Sequence, residues 1–303
     1  MYKRQAPHCA EVKSADIGNV HYHLGLYEFQ LDMKESARGH FEQALKLLPT
    51  QNREYDVRRR LSHEGLFGID ANEGNYAGVV EHAAASIAIL ANSTDSESLD
   101  KIDHLRCAVA IFCVQSPEWR DEANRQIALA LKSATERHGP LHKVTQDVRA
   151  KEVFYWYNCR DPRCVDLALQ YRAEIAPKTD PSLTDDWTLH AIRCARAFGR
   201  VAEARSLCLA LLARGEESTE NDRLNRASAL FHLAGIEARA GNRQLALQYY
   251  AETVGLSVEL GYSDDERTER RLKEWQAFEA GKLPGFSVAE NPWQSNVSFT
   301  VKR

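Results

Sequence analysis

Two groups of residues in this chain have the types that could bind a metal ion. His21 and His23 form a His-x-His pair, and Cys159 and Cys164 flank Asp161-Pro162. If the histidines lie on a helix, a two-residue step rotates by about 200°, so their rings point to different sides. No further His or Cys pair completes a zinc set with the two cysteines. We therefore expect no metal site, and we interpret the cysteines as buried structural thiols.

Acidic stretches offer a second route to metal chemistry. Residues 264–266 (DDE) and 221–222 (ND) are similar to the metal-binding carboxylates of all-helical prenyl-diphosphate enzymes. The acidic motif lacks its last aspartate, however, and the two stretches come in the opposite chain order. Acidic residues also favour the positive N-terminal end of a helix. A capped helix start therefore explains Asp264 and Asp265 better than a metal site does.

Sequence motifs of catalysis and nucleotide binding are absent. The chain has no Gly-x-Ser-x-Gly, no Walker-type glycine loop, no dinucleotide fingerprint and no His-Glu-x-x-His. We therefore expect a non-catalytic protein without a cofactor. An all-helical enzyme is the alternative, and it would need a convergent polar pocket that the sequence does not display.

Composition limits the class of partner. The 303 residues are 44% hydrophobic and 27% charged, and the formal net charge is −4. This is enough apolar material for a continuous core, and the basic footprint of a nucleic-acid-binding domain is missing. The seven cysteines are scattered, which is typical of reduced thiols in a cytoplasmic protein. Because no apolar run approaches about 18 residues, we expect a cytoplasmic protein that binds neither nucleic acid nor membrane.

Helices are the elements that would position any such side chains. Ala37, Phe41 and Ala44 recur at i, i+4 and i+7, so they share one face of a helix. Gly25 and Ala37 are small where two helices would approach closely, and Phe41 fills the space beside them. No stretch alternates apolar and polar residues for long enough to form a sheet. The N-terminal region therefore predicts two amphipathic helices joined by a short turn.

This order of small and large residues resembles the tetratricopeptide (TPR) repeat, whose pattern is matched by Leu24-Gly25, Ala37, Phe41, Ala44 and Pro49. The small residue at the Ala37 position recurs at intervals of 36 to 45 residues, as Val79, Ala123, Ala168, Ala204 and Ala246. The resemblance implies an all-α fold, a right-handed α-solenoid of about six antiparallel helix pairs. Long helices of this type resemble those in TPR arrays of bacterial regulators and scaffolds.

The two ends of the chain depart from the repeat pattern. Residues 1–5 (MYKRQ) show no periodicity, and we interpret them as a non-native scar. We expect residues 6–280 to form a single TPR-like repeat domain that ends with a thirteenth helix from Ser263 to Ala280. Within this helix, residues 264–274 mix charges at i, i+4 spacing, which is typical of an exposed, self-bridging helix. Residues 281–303 lack a helical period and predict an irregular tail.

The TPR resemblance also implies a binding surface, because the first helices of such arrays line a concave groove that faces the partner. The TPR register, carried onto this chain, gives as groove residues Tyr22, Leu26, Phe112, Tyr157, Arg160, Arg193, Arg196, Phe231 and Arg239. Aromatic residues and arginines anchor interfaces through large contact area and bidentate pairing with carboxylates. The resemblance therefore implies a protein or peptide ligand, either acidic or bound by its C-terminal carboxylate.

The sequence leaves three functions open. The first is a scaffold that binds a protein or peptide in the groove. The second is the sensor or effector-binding array of a larger bacterial transcriptional or signalling regulator, of which this chain would be a part. The third is the all-helical enzyme. A helix-turn-helix or Walker motif upstream of residue 6 in the complete reading frame would favour the regulator. The sequence determines neither the partner nor the oligomeric state.

Overall fold

The structure is a computed structural model that describes residues 6–176, 181–213, 219–262 and 265–282. The described residues contain 13 α-helices and two 3₁₀ turns, at Arg53–Tyr55 and Pro117–Trp119, and no strand. The helices are α1 (Ala6–Gln30), α2 (Lys34–Leu47), α3 (Asp56–Glu73), α4 (Tyr76–Leu90), α5 (Ser96–Cys113), α6 (Arg120–His138), α7 (Lys143–Asn158), α8 (Arg163–Ile175), α9 (Pro181–Ala197), α10 (Val201–Leu212), α11 (Glu220–Arg239), α12 (Arg243–Glu259) and α13 (Glu266–Glu279). The prediction of an all-helical protein is confirmed for these residues.

Consecutive helices pack against each other in pairs. The closest pairs are α1 with α2, α3 with α4, α5 with α6 and α11 with α12, and α9 packs on both α8 and α10. The connections inside the pairs are short, for example residues 31–33 and 74–75, and a short connection between two packed helices makes them antiparallel. The predicted pairing of neighbouring helices is therefore confirmed for these helices, whereas the right-handed solenoid and the TPR assignment stay predictions.

The small residues that marked the repeat in the sequence occupy equivalent places in the structure. Each lies on the second helix of a predicted pair, and each is at most 1% exposed: Ala37, Val79, Ala123, Ala168, Ala204 and Ala246. Small side chains at such positions allow two helices to approach closely. The periodicity of the sequence thus located the tightly packed face of every second helix.

A residue with a positive φ angle, in the left-handed backbone conformation, recurs in the turn between the two helices of a pair. Gly74, Gly199 and Gly241 have φ angles of 73°, 75° and 83°, which is the conformation of a glycine C-cap. At the corresponding turns after α1 and α7, the left-handed residues are Asp32 and Arg160, with φ angles of 61° and 54°. The same turn geometry in five pairs indicates an internal repeat.

The described helices form two compact units, and the boundary along the chain falls inside α7, between Val148 and Arg149. Unit 1 here means the described residues up to 148, and unit 2 those from 149 onward. None of the helices described is both long and apolar enough to cross a membrane. The predicted scar at residues 1–5, Asp264, and the predicted tail from residue 283 onward lie outside the described residues.

Candidate functional site

The first helices of successive pairs in unit 2 bring basic side chains together. α9 packs against α11, and α13 reaches α11 through Arg271, whose Nη2 donates to Ser228 Oγ at 2.9 Å. We use the name arginine–histidine cluster for His190, Arg193 and Arg196 on α9, His232 on α11, and Arg270 and Arg271 on α13. Three helices that are far apart in the sequence therefore contribute to one cluster.

The central contact of the cluster joins Arg196 to His232. Nη1 of Arg196 lies 2.7 Å from Nδ1 of His232. Since a guanidinium can only donate, Nδ1 of His232 accepts this hydrogen bond, and the neutral ring carries its proton on Nε2. Gly235, one turn later on α11, makes room for the guanidinium, because a Cβ there would lie 2.9 Å from Nη2 of Arg196. The sequence of α11 thus accommodates a buried arginine.

Phe231 contacts two arginines of the cluster. The Cζ atoms of Arg196 and Arg271 each lie 5.8 Å from the centroid of its ring. Arg271 is itself buried, and it donates to Ser257 Oγ at 3.1 Å in addition to Ser228. Guanidinium groups stack favourably on aromatic faces. The aromatic ring therefore helps to hold two positive charges within a small volume.

Two carboxylates balance part of this charge. Oε1 of Glu274 lies 4.0 Å from Nη2 of Arg196 and accepts a hydrogen bond of 2.7 Å from the hydroxyl of Tyr250. Burial, and then the charge of Glu274, raises the pKa of the Tyr250 hydroxyl. The hydroxyl therefore stays protonated and donates to Glu274. Burial also raises the pKa of Asp186, which Arg193 partly offsets. Glu274 is thus tied into the cluster as a structural partner.

Burial and the arginine charges lower the pKa values of the two cluster histidines. Burial, followed by the charges of Arg196, Arg193, Arg271 and Arg270, holds the pKa of His232 well below its usual range. Burial and then Arg193 lower the pKa of His190 to about 3. Burial also lowers the pKa of Arg196, although Glu274 acts in the opposite direction. An anion brought close to these arginines would be stabilised, because charges interact strongly where water is excluded.

The predicted groove residues of unit 2 have different surroundings. Arg193, Arg196 and Phe231 belong to the cluster or contact it directly. Arg239 is exposed, and its charge acts on Arg196. The ring of Tyr157 is buried, and its centroid lies 6.2 Å from that of Phe198 in an edge-on contact. Arg160 is the exposed, left-handed residue between α7 and α8.

The predicted groove residues of unit 1 are more closely packed. Tyr22 is buried and belongs to a core cluster with Ala44 and Leu48. Leu26 is half-buried against the same cluster. Phe112 is half-buried, and its ring centroid lies 5.5 Å from that of Phe67. The buried Tyr22 therefore has little area left for a partner, whereas Leu26 and Phe112 keep part of their side chains exposed.

One expectation from the sequence needs correction, and several cluster residues were missed. The stretch 264–274 was expected to be an exposed, self-bridging helix. Lys273 and Glu269 do form such an ion pair at 2.7 Å, but Arg271 is only 8% exposed and belongs to the cluster. His190 and His232 were also missed. Their positions in the sequence could have indicated them, because His190 stands three residues before Arg193 and His232 follows Phe231.

Histidine pairs recur in unit 1. Nδ1 of His21 on α1 lies 2.8 Å from Nδ1 of His40 on α2. In the next helix pair, Nδ1 of His63 on α3 lies 3.3 Å from Nδ1 of His82 on α4. The ring of His63 also lines a cleft of about 510 Å³. His21 therefore has its partner on the neighbouring helix, which agrees with the expectation that it does not act together with His23.

Each histidine pair is extended by a carboxylate at the same place. Nε2 of His40 lies 3.5 Å from Oε1 of Glu28, and Nε2 of His82 lies 3.5 Å from Oδ2 of Asp70. Every member of the second set stands 42 residues after its counterpart, as Asp70 does after Glu28. This is a structural repeat at the level of hydrogen-bonding side chains. Within the residues described, no group of three or more His, Cys, Asp or Glu is arranged to hold a metal ion.

The half-buried His63 should make unit 1 sensitive to acid. Burial, with His82 and Arg59 adding to it, lowers the pKa of His63 from 6.5 to about 4. Between these values the unfolded chain binds a proton that the folded chain does not, so the free energy of unfolding falls as the pH is lowered. A shift of this size corresponds to about 3 kcal/mol at most.

We expect His63→Asn to flatten the dependence of this free energy on pH between 6.5 and about 4, as measured by urea unfolding. His190 and His232 still contribute, because burial lowers the pKa of both. The variant should therefore reduce the slope without abolishing it. Parallel profiles for the parent and the variant would contradict a lowered pKa of His63.

Most of the described cysteines are buried, and two of them are poor nucleophiles. Cys107, Cys113, Cys164, Cys194 and Cys208 are buried free thiols, as predicted, and Cys159 is half-buried. Burial raises the pKa of Cys113 to about 11 and that of Cys208 to about 12. Because the thiolate is the reactive form, these two side chains are inert at neutral pH.

Comparison with known proteins does not identify a family. No model of a known protein family matches the chain, and no curated protein matches it either.

Proposed function

We propose that this chain is a non-catalytic, TPR-like helical repeat protein that binds a protein or peptide partner through the first helices of its pairs. The arginine–histidine cluster would supply the contact for an acidic segment or a C-terminal carboxylate. The observation that carries the proposal is the meeting of α9, α11 and α13 at one place. Nη1 of Arg196 lies 2.7 Å from Nδ1 of His232, and the Cζ atoms of Arg196 and Arg271 both lie 5.8 Å from the ring centroid of Phe231.

The chemistry of the cluster favours carboxylates as ligands. A guanidinium presents its N–H groups in a fork that matches the two oxygens of a carboxylate. Neutral His232 adds a further potential donor, since its Nδ1 accepts from Arg196 and its proton is on Nε2. Hydrogen bonds to charged groups contribute about 1.5–3 kcal/mol each. A peptide carboxylate could therefore use both charge and geometry.

The titration of the cluster supports binding more than catalysis. A general base is most effective when its pKa lies near the working pH. The pKa of His190 is lowered to about 3, and that of His232 lies well below its usual range. Both rings therefore stay neutral at pH 7 and are weak bases. A net charge of −4 over the whole chain also favours a local anion site over a general attraction to nucleic acid.

Fluorescence anisotropy can test the proposal with a short fluorescein-labelled peptide that is rich in glutamate and has a free C-terminal carboxylate. We expect binding that weakens about tenfold in Arg193→Gln, because a charge-assisted hydrogen bond of about 1.5 kcal/mol is lost. Arg270→Gln should weaken binding in the same direction, since Arg270 is exposed and its charge reaches His232.

The control variant is Arg125→Gln, because Arg125 is an exposed arginine of α6 that pairs with Glu122 on its own helix. This variant should bind the peptide like the parent. A control peptide with glutamine in place of glutamate and an amidated C-terminus should not bind. Equal binding of both peptides, or equal affinity of the parent and Arg193→Gln, would contradict an anion site at the cluster.

A further inference from the structure

The first helix of unit 1 carries an exposed apolar face. Five large apolar side chains on or directly after α1 are between 42% and 66% exposed: Ile17, Val20, Leu24, Tyr27 and Leu31. We use the name heptad seam for these five residues. The opposite face of α1 is covered, since Ala15 and Tyr22 are buried and Gly25 faces the ring of Phe41. α1 is thus apolar on both sides, whereas a helix at the surface normally has one polar side.

The spacing of the heptad seam indicates what would cover it. The successive steps between its members are three, four, three and four residues, which is the a/d pattern of a left-handed coiled coil. The solvated face of a single helix does not require this pattern. A repeat of 3.5 residues keeps a seam aligned with a second helix along its whole length. The occupant is therefore an α-helix with a matching seam.

We propose that the occupant is α1 of a second copy of this chain, aligned in parallel. In that register the g position of one helix faces the e position of the other, five residues later. Asp16 would then face His21 of the second copy, and His23 would face Glu28. Each flanking pair combines a carboxylate with an imidazole, and no two like-charged carboxylates oppose each other.

The other end of the described chain argues against a head-to-tail contact. The exposed side chains of α13 are polar or charged, among them Glu269, Arg270, Lys273 and Gln276. An apolar seam gains nothing by packing on such a face, because burial of charges without partners is costly. The heptad seam therefore matches itself better than it matches α13, which favours a closed, two-fold dimer over an open chain of copies.

The size of the heptad seam sets the expected affinity. Five side chains about half exposed amount to on the order of 500 Å² per copy, which is less than the roughly 800 Å² per partner of a standard interface. We therefore expect a reversible dimer with a Kd on the order of 1–100 μM, for which area alone gives only a guide.

Sedimentation equilibrium of the full chain tests the proposal. At about 100 μM, where mass action favours association, the expected mass is near twice the 34.2 kDa of the chain. Val20→Glu combined with Tyr27→Glu should give a monomer, because both side chains belong to the heptad seam. Val258→Glu is the matched control, since Val258 is 53% exposed but lies on α12, and this variant should dimerise like the parent. Circular dichroism shows that each variant is folded.

Orientation is tested with Leu31→Cys at the end of the heptad seam. In a parallel dimer the two new thiols lie side by side, so mild oxidation should give a covalent dimer. A dimer that does not cross-link would overturn the parallel register. A parent chain that stays monomeric at about 100 μM, or a dimer that both glutamates leave intact, would overturn the proposal. If the parent chain stays monomeric, the partner of the heptad seam would be a helix of another protein.

Discussion

Replacement of Gly65 by alanine should destabilise unit 1 by about 1–3 kcal/mol. A Cβ at residue 65 would lie 2.5 Å from Cζ and 2.9 Å from Cδ2 of Phe41, and closer still to Cε2. Phe41 is fully buried, and its other edge lies against Gly25, where a Cβ would be 2.8 Å from Cδ1. The ring is therefore held between glycines of α1 and α3. It cannot move away from one without crowding the other.

Gly39→Ala provides the control for this prediction. Gly39 lies on α2, the helix that carries Phe41, but a Cβ there would meet no atom within 4 Å. Alanine is favoured over glycine in a helix by about 1 kcal/mol, so this variant should be slightly more stable than the parent. Both free energies of unfolding can be measured in urea by circular dichroism. Equal stability of the two alanine variants would mean that Phe41 does not fix the spacing of the helices.

The local part of this packing could be predicted from the sequence. Phe41 was expected to fill the space beside Gly25, and it does so. Helix periodicity and turn glycines are local features of the sequence, so the 13 helices and their pairing could be predicted from it. The contact with Gly65 was not, because it depends on how the second helix pair stacks on the first. No spacing within one helix contains that information.

The candidate site shows the same limit. The TPR register selected Arg193 and Arg196, but it could not show that His232 accepts a hydrogen bond from Arg196. Arg271 was missed because charges at i, i+4 spacing look alike on an exposed helix and on a helix that buries one of them. The aromatic residues posed a similar problem. Tyr22 and Phe231 have the types expected of an interface, and packing between helices uses the same types.

An ion pair with a buried carboxylate connects successive helix pairs in both units. In unit 1, Nη2 of Arg38 on α2 donates to Oδ1 of Asp70 on α3 at 2.7 Å. In unit 2, Nε of Arg205 on α10 donates to Oε1 of Glu237 on α11, also at 2.7 Å. The two residues of each pair are 32 positions apart, and both carboxylates are almost fully buried. The repeat therefore includes an electrostatic link between neighbouring pairs.

Asparagine at the turn completes this link in the same way. Nδ2 of Asn75 donates to Asp70 Oδ1 at 3.1 Å, and Nδ2 of Asn242 donates to Glu237 Oε2 at 2.6 Å. Each asparagine stands five residues after its carboxylate and directly after a left-handed glycine. The dipeptides Gly74-Asn75 and Gly241-Asn242 thus have two roles. The glycine ends the first helix, and the asparagine donates a hydrogen bond to the buried acid on that helix.

Removal of Arg38 should lower the free energy of unfolding, because it leaves the carboxylate of Asp70 without its cation. Arg38→Met keeps the length of the side chain but removes the charge opposite Asp70, which is 1% exposed. Breaking a fully buried pair costs about 3–5 kcal/mol. Since 26% of the Arg38 side chain is exposed and water can reach the site, we expect a loss of about 2–3 kcal/mol in the free energy of unfolding.

Two further variants separate this link from an ordinary surface contact. Arg125→Met removes an arginine that is 60% exposed and pairs with Glu122 on its own helix, and it should cost less than about 1 kcal/mol. Combining Arg38→Met with Asp70→Asn removes the stranded charge, so the double variant should recover part of the stability lost in Arg38→Met. If Arg38→Met unfolds at the same urea concentration as Arg125→Met, the ion pair does not hold the two helix pairs together. A double variant less stable than Arg38→Met would show that Asp70 acts mainly through Asn75 and the start of α4.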